Sequence, residues 1–270
     1  MRLHFYKMNG AGNDFIVIDN RNLSINLSAG QIKALCDRHR GIGADGLLAV
    51  EPATQGADYK FRYYNADGGE AEMCGNGARC FGKFTAHLGE EVAEMVSFET
   101  IAGILSAEMI GENVRIMMSD PFDLEMNADV KIGSLETDIH VLNTGVPHAV
   151  AFVEDLENLD VVKNGTAIRY HDRFSPNGTN ANFAKVISNN HIEIRTYERG
   201  VEGETLACGT GMCAAAIIHR ILTGASSPVK IKVAGGDTLE IGFEATAKNQ
   251  FTKVTLSGPA DLVFEGYVEI

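Results

Sequence analysis

No run of apolar residues in this chain approaches the ~20 needed to cross a bilayer, so a helical membrane span is excluded. The stretch Met1-Arg2-Leu3-His4-Phe5-Tyr6-Lys7 lacks the apolar h-region of a signal peptide, and a cytoplasmic protein is expected. Positive charge is in short supply. The 23 Lys and Arg face 36 Asp and Glu, a formal net charge of −13. That balance argues against a nucleic-acid partner, whose phosphates need a positive face. It does not bear on a small-molecule pocket, which can differ locally from the whole. Cysteine is scarce and odd in number: Cys36, Cys74, Cys80, Cys208 and Cys213. A chain of 270 residues with such a count is not a disulfide-stapled secreted domain. Five residues separate Cys74 from Cys80 and four separate Cys208 from Cys213, which reads poorly as a zinc site. Gly10-Ala11-Gly12 does not begin a dinucleotide loop either, because Phe15 stands where G-x-G-x-x-G needs its last glycine.

What is present is one short pattern written twice. Gly69-Glu70-Ala71-Glu72-Met73-Cys74-Gly75-Asn76-Gly77 and Gly203-Glu204-Thr205-Leu206-Ala207-Cys208-Gly209-Thr210-Gly211 both spell G-E-x-x-x-C-G-x-G. Other matches accompany it in the same order, at offsets of 132 to 138 residues. Gly12–Val17 answers to Gly145–Val150, Asp37-Arg38 to Asp172-Arg173, Ala102-Gly103 to Ala234-Gly235, and Ser119–Leu124 to Ser257–Leu262. So long a period is no solenoid repeat. It implies two similar domains of ordinary size.

Within a repeat, strands surround one main helix. Phe15–Asp19, Leu47–Val50, Tyr59–Tyr64, Met95–Thr100, Ile104–Met109 and Val114–Met118 read as strands. Ser28–Arg38 reads as a short helix capped by Ser28. The helix after Cys74 shows an apolar face of Phe81, Phe84 and Leu88 and stops at Gly89; the helix after Cys208 stops at Gly224. The pattern predicts an α+β fold, each domain a largely antiparallel sheet packed on a central helix.

The C-G-x-G segment has a chemical logic. Its glycines leave backbone N–H groups uncovered at the positive end of a helix, where they bind a carboxylate. The same field lowers the pKa of a thiol from about 8.5 into the reactive range. Two such motifs supply a base, an acid and a held carboxylate, which is the equipment for inverting an α-carbon without a cofactor. The alternatives are inert packing, the expectation for Cys36, Cys80 and Cys213, and a redox pair formed by Cys74 and Cys208. Glu70 and Glu204 are expected to serve the turns before the cysteines rather than proton transfer.

Further motifs are Lys7–Phe15, Asp37–Asp45, Asn65-Ala66-Asp67-Gly68, Met73–Cys80, Pro147-His148, Tyr197-Glu198-Arg199-Gly200 and Ala207–Gly211. With these the chain resembles, over essentially its whole length, the diaminopimelate epimerase family of cofactor-independent two-cysteine epimerases. Proline racemases share the two-cysteine logic, but Gly75–Cys80 and Asn65–Gly68 are hallmarks of the epimerases. The resemblance implies two pseudo-symmetric domains, 1–118 plus 260–270 and 119–259, with the last strand returning to the first. It implies Cys74 and Cys208 as the acid/base thiols, and Gly75, Asn76, Gly209 and Thr210 as the carboxylate cradle. Asn13, Asn65, Asn180, Glu198 and Arg199 would bind the far end of the substrate, and His148 and Glu198 would orient and tune the thiols. It implies no cofactor and no metal, diaminopimelate as the small-molecule partner, and a place in lysine and peptidoglycan biosynthesis. A homodimer is left open. On the residues alone, Asn13 and Asn65 can equally serve glycine-rich turns, Arg199 can be an exposed strand-end charge, and His148 can be structural. The chain departs from the family at Val146, where many members have asparagine before Pro-His, and at Gly46, where many have glutamine. Those departures keep open a racemase of another amino acid on the same scaffold. A non-catalytic binding or thiol-redox protein is the reading from another class.

Overall fold

A computed structural model of the chain describes residues 2–71, 73–101, 103–133 and 135–270. By its contacts the chain divides into two compact units, residues 1–116 with 258–270 and residues 117–257. The first contains β1 (Arg2–Gly10), β2 (Asn13–Asp19), α1 (Ala29–Cys36), β3 (Gly46–Pro52), β4 (Tyr59–Asn65), β5 (Glu70–Ala71), α2 (Gly75–Ala86), β6 (Met95–Thr100), β7 (Gly103–Ile110) and β8 (Asn113–Met117). The second contains β9 (Phe122–Ala128), β10 (Ile139–Asn143), β11 (Pro147–Phe152), α3 (Val161–Arg169), β12 (Asn180–Ser188), β13 (His191–Glu198), β14 (Gly203–Thr205), α4 (Gly209–Thr223), β15 (Val229–Val233), β16 (Thr238–Ala247) and β17 (Gln250–Pro259). The final strand, β18 (Asp261–Glu269), belongs to the first unit, where it pairs antiparallel with β1.

The two units repeat one topology. In the first, pairing runs β18–β1–β2–β3–β4–β6–β7–β8, with β5 as a short hairpin arm beside β4. In the second it runs β9–β10–β11–β12–β13–β15–β16–β17, with β14 beside β13. The pairs β2–β3 and β4–β6 and their counterparts β11–β12 and β13–β15 are parallel, and the other pairs in these two series are antiparallel. The α+β class read from the sequence is the class found.

Each sheet is covered on both faces. Ile16, Val17 and Ile18 are all buried, as are Leu47 to Val50, so these strands are continuous apolar runs without alternation. One face of the first sheet packs Ile16, Ile18, Leu47 and Ala49 against Ile32 and Leu35 of α1. On the other side α2 packs against β1, β2, β3, β4, β6 and β7, and α4 packs equivalently against β10 to β13, β15 and β16.

This wrapping changes the reading of α2. The sequence predicts one apolar face, yet every residue from Asn76 to Ala86 except Lys83 is buried. Small residues make the enclosure possible: a Cβ on Gly82 would lie 2.3 Å from the Cβ of Ala107. The helix ends at Ala86, three residues before Gly89. The stop of α4 at Gly224 is as expected, with that glycine left-handed at φ +78°. Ser28 caps α1 through a capping box with Gln31.

Candidate active site

Cys74 and Cys208 occupy the same position in their units, the N-cap of the enclosed helix. Both backbones are extended, at φ −137° and −121°, and both carbonyls accept the first helical hydrogen bond, from Ala78 at 2.7 Å and from Met212 at 3.0 Å. Neither thiol caps its own helix. Each Sγ therefore stands beside the positive end of a helix dipole, whose field favours an anion. The repeated glutamates hold the approach to these turns. Arg195 grips Glu204 with bonds of 2.7 and 2.8 Å from Nε and Nη2, and Arg62 grips Glu70 in the same fork. These ladder ion pairs fasten β14 to β13 and β5 to β4, so the two glutamates do serve the turns.

In the first unit Asn13 is fixed at both ends of its amide. Its Nδ2 donates to Asp45 Oδ2 at 2.9 Å, and its Oδ1 accepts from Asn76 Nδ2. Asp45 belongs to a charge network that sequence reading missed as a unit. Arg38 donates to Asp14 at 3.0 and 2.6 Å and to Asp45 at 2.7 Å, while the nearly buried Lys7 contacts Asp14. Burial pushes the Asp14 carboxyl up, but bonds from Arg38 and Lys7 outweigh it and hold it at about 2. Lys7–Phe15 and Asp37–Asp45 are thus the two halves of one support that aims Asn13 at the start of α2. Asn65 is exposed at the end of β4, and its backbone closes the turn with Gly68 and Gly69 at 2.9 Å each. Gly46 is required by its neighbours: a Cβ there would lie 2.6 Å from Tyr64 O and 2.7 Å from Tyr63 Cε2. Any side chain at this position would have to displace the backbone at Tyr64 as well as the Tyr63 ring.

In the second unit Cys208 is 8 % exposed, with Thr210 Oγ1 at 3.7 Å from its sulphur. Thr144 Oγ1 donates to the Thr210 carbonyl at 2.9 Å and so steadies the first turn of α4. His148 is wholly buried, and burial, aided by the charge of Arg199, lowers its pKa to about 3. Burial raises the carboxyl of Glu198 above its ordinary range. Asn180 is 4 % exposed and ties β12 to β11 and to the turn after β13: Nδ2 donates to Pro147 O at 3.1 Å and Oδ1 accepts from Arg199 N at 2.9 Å. One N–H of that amide remains for another acceptor. Arg199 Nη1 donates to Asn177 O at 3.3 Å. Val146 sits in the turn before Pro147, its carbonyl accepting from Thr144 N at 3.2 Å.

The structure thus gathers Asn13, Gly75 and Asn76 at Cys74, and Gly209 and Thr210 at Cys208. It ties Asn180 to the backbone of Arg199, next to Glu198, and brings the Arg199 charge to bear on His148. It also adds two residues to the second group, Asn182 and Thr196. Thr196 Oγ1 donates to Asn182 Oδ1 at 3.0 Å, and Asn182 Nδ2 lies 3.1 Å from His148 Nδ1. The available signal was a polar residue, Asn182, between Ala181 and Phe183 in the apolar middle of β12. Among the described residues no group of three His, Cys, Asp or Glu is arranged to hold a metal ion, and no helix is long and apolar enough to cross a membrane.

A family model described as diaminopimelate epimerase matches residues 5–122 and 140–263. A diaminopimelate epimerase of Nitrosospira multiformis is 42 % identical over 284 residues, covering 100 % of this chain and 99 % of the relative. That of Aquifex aeolicus is 40 % identical over 277 residues, covering 98 % and 97 %. Among solved structures, a hydroxyproline epimerase from Agrobacterium vitis aligns with a TM-score of 0.71 at 18 % identity, covering 99 % of this chain and 91 % of that one. A phenazine biosynthesis protein of the PhzF family from Bacillus anthracis aligns at 0.72 with 16 % identity over 100 % of both chains. These last two likenesses concern the fold.

Proposed function

This chain belongs to the diaminopimelate epimerase family, and from that premise we propose that it interconverts L,L- and meso-diaminopimelate by passing an α-proton between two thiols, Cys74 and Cys208, in lysine and peptidoglycan biosynthesis. The observation that supports the two-thiol chemistry is the repeated N-cap. In each copy of the fold one cysteine, followed by glycine, starts a helix that a sheet encloses. As thiolate, one cysteine removes the α-proton. The other, as thiol, returns a proton to the opposite face, and the reverse reaction exchanges the roles. Negative charge develops on the substrate carboxylate as the α-proton leaves. Backbone N–H groups of Gly75 and Asn76, and of Gly209 and Thr210, stabilise that charge most in the transition state. Asn13, held by Asp45 and Asn76, with Asn65, Asn180, Glu198 and Arg199, is assigned to the rest of the substrate. Arg199 suits a distal carboxylate, which a guanidinium binds as a fork.

The test is epimerisation in deuterated water across a panel of amino acids that includes the diaminopimelate isomers. Wild-type protein should exchange the α-hydrogen of diaminopimelate. Cys74→Ala and Cys208→Ala should each lose about 10²–10⁴-fold or more in turnover with an unchanged circular dichroism spectrum. Near-normal turnover in either variant would sink the two-thiol mechanism. Exchange confined to a different amino acid would favour the racemase reading that Val146 keeps open.

A further inference from the structure

The turn that carries Glu198 and Arg199 differs in length from its counterpart. Tyr64 pairs with Glu70 and Tyr197 pairs with Glu204, so five residues join β4 to β5 at this level and six join β13 to β14. The longer turn has more backbone freedom to lose when it is fixed. The side chain of Glu202 folds back across it. Oε1 accepts from Gly200 N at 3.1 Å, and Oε2 accepts from the Tyr197 hydroxyl at 3.1 Å. The Glu202 N–H donates to Glu198 O at 2.9 Å. In this arrangement the Glu202 backbone is left-handed, at φ +56°, a region that favours glycine over any side chain.

Arg169, at the end of α3, ties this turn to a second segment. Its Nε donates to Glu202 Oε1 at 3.2 Å, and its Nη2 lies 3.1 Å from the same oxygen. Its Nη1 donates to Asn177 O at 3.4 Å. That carbonyl also accepts from Arg199 Nη1 at 3.3 Å, which its two lone pairs allow. A Cβ on Gly178 would collide with Arg169 Nη1, so the guanidinium lies directly against the 177–178 backbone. The Tyr170 ring covers it further, with its centroid 4.7 Å from the guanidinium carbon. The Arg169 side chain is 15 % exposed, which shields its pair with Glu202 from salt. Arg199 is therefore held at both ends. Its backbone adjoins the Gly200 amide that Glu202 binds, and its guanidinium shares a carbonyl with Arg169. Anchoring one Nη sets the plane in which the other N–H groups of a guanidinium can grip a carboxylate.

We propose that Glu202 and Arg169 are positioning residues: through their mutual hydrogen bonds they fix the 198–203 turn and the Asn177 carbonyl, and so set the place and plane of the Arg199 guanidinium that receives the distal carboxylate of the substrate. Neither residue touches substrate in this assignment. It rests on Arg199 being a substrate residue, as proposed above, but its first test needs no substrate.

That test is amide hydrogen exchange of the intact protein. The Gly200 N–H should be protected in wild type and should exchange about 10-fold faster or more in Glu202→Ala, the range for one hydrogen bond to a charged group. Unchanged protection in the folded variant overturns the proposal. The second test separates KM from kcat for diaminopimelate. Glu202→Ala should raise KM about 10-fold and change kcat less than about 3-fold, because a grip remote from the reacting carbon is lost equally from ground and transition states. Glu202→Gln keeps an acceptor for Gly200 and Arg169. It should bring KM back to within about 3-fold of wild type, since neutral hydrogen bonds are roughly half as strong as charge-assisted ones. In an Arg199→Ala background, Glu202→Ala should raise KM by less than about 2-fold more, because nothing is left to position. Equal effects on KM with and without Arg199, or a fall in kcat alone, would mean a merely structural turn and overturn the proposal. Should Glu202→Ala not fold, Arg169→Met, which keeps an unbranched side chain but none of the bonds, decides by the same measurements with the same direction. Wild-type protein inactive on diaminopimelate, with the exchange result as expected, would count against the proposed function and not against this assignment.

Discussion

Position decides what each cysteine can do. Cys74 and Cys208 cap helices, while Cys36, Cys80 and Cys213 lie in the core, where burial pushes the thiols up, Cys36 to about 11 and Cys80 to about 12. Iodoacetamide at pH 7.5 should therefore modify none of these three in native protein; rapid labelling of Cys80 would contradict the packing. The distinction between the two classes was legible in the flanking glycines. The support of Asn13 was not, because Lys7, Asp14, Arg38 and Asp45 meet only through folding. Asp14 carries a pH consequence. Its carboxyl is held at about 2, below the ~3.9 of an unfolded chain. A depressed carboxyl contributes stability that is complete above the unfolded value and lost as pH falls through the folded one. Asp14→Asn should lower Tm at pH 7 and make the thermal stability of the protein less dependent on pH between about 4 and 2. An unaltered Tm at pH 7 would deny the network its role.

Elements explain why the motif glycines recur and yet differ. Gly77 and Gly211 share a place in the pattern, but the space beside them differs because Leu48 and Phe15 stand at ordinary contact where Asn182 intrudes. Gly77→Ala should change stability by less than about 1 kcal/mol, in line with the better helix propensity of alanine. Gly211→Ala must displace the Asn182 amide and should cost about 1–3 kcal/mol and most of the activity. Denaturant titration with paired rate measurements checks both, and equal effects would mean that the asymmetry beneath the helices is not real. The periodicity of α2 misled for a related reason. A stripe of Phe81 and Phe84 is visible in the sequence, but a sheet that wraps the helix also buries Arg79 and Thr85, which no stripe reveals.

For the whole molecule, the decisive element is β18. It pairs with β1 from Arg2↔Glu269 to Asn9↔Asp261, and a Cβ on its Gly266 would lie 3.2 Å from Phe5. Deleting residues 260–270 should leave β1 as an open edge and expose its side of the core, so the first unit should lose its cooperative melting and hydrogen-exchange protection. Retained protection in β1 and β2 would show that the strand is dispensable. In the second unit β9 takes the corresponding place beside β10, so each sheet begins with the strand that follows the other unit's last hairpin.

The sequence by itself determined the duplication, the two helix starts and the cysteines upon them, because those signals are local: glycine context, spacing and period. Only the tertiary structure decided which polar residues support each helix start. Asn182, Thr196 and His148 lie on three strands, and their meaning depends on ladder register. A ladder is a long-range pairing, and a polar residue in a strand has no function to read until its neighbours across the sheet are known. The repeated G-E-x-x-x-C-G-x-G looks symmetric along the chain, and folding makes its two copies unlike.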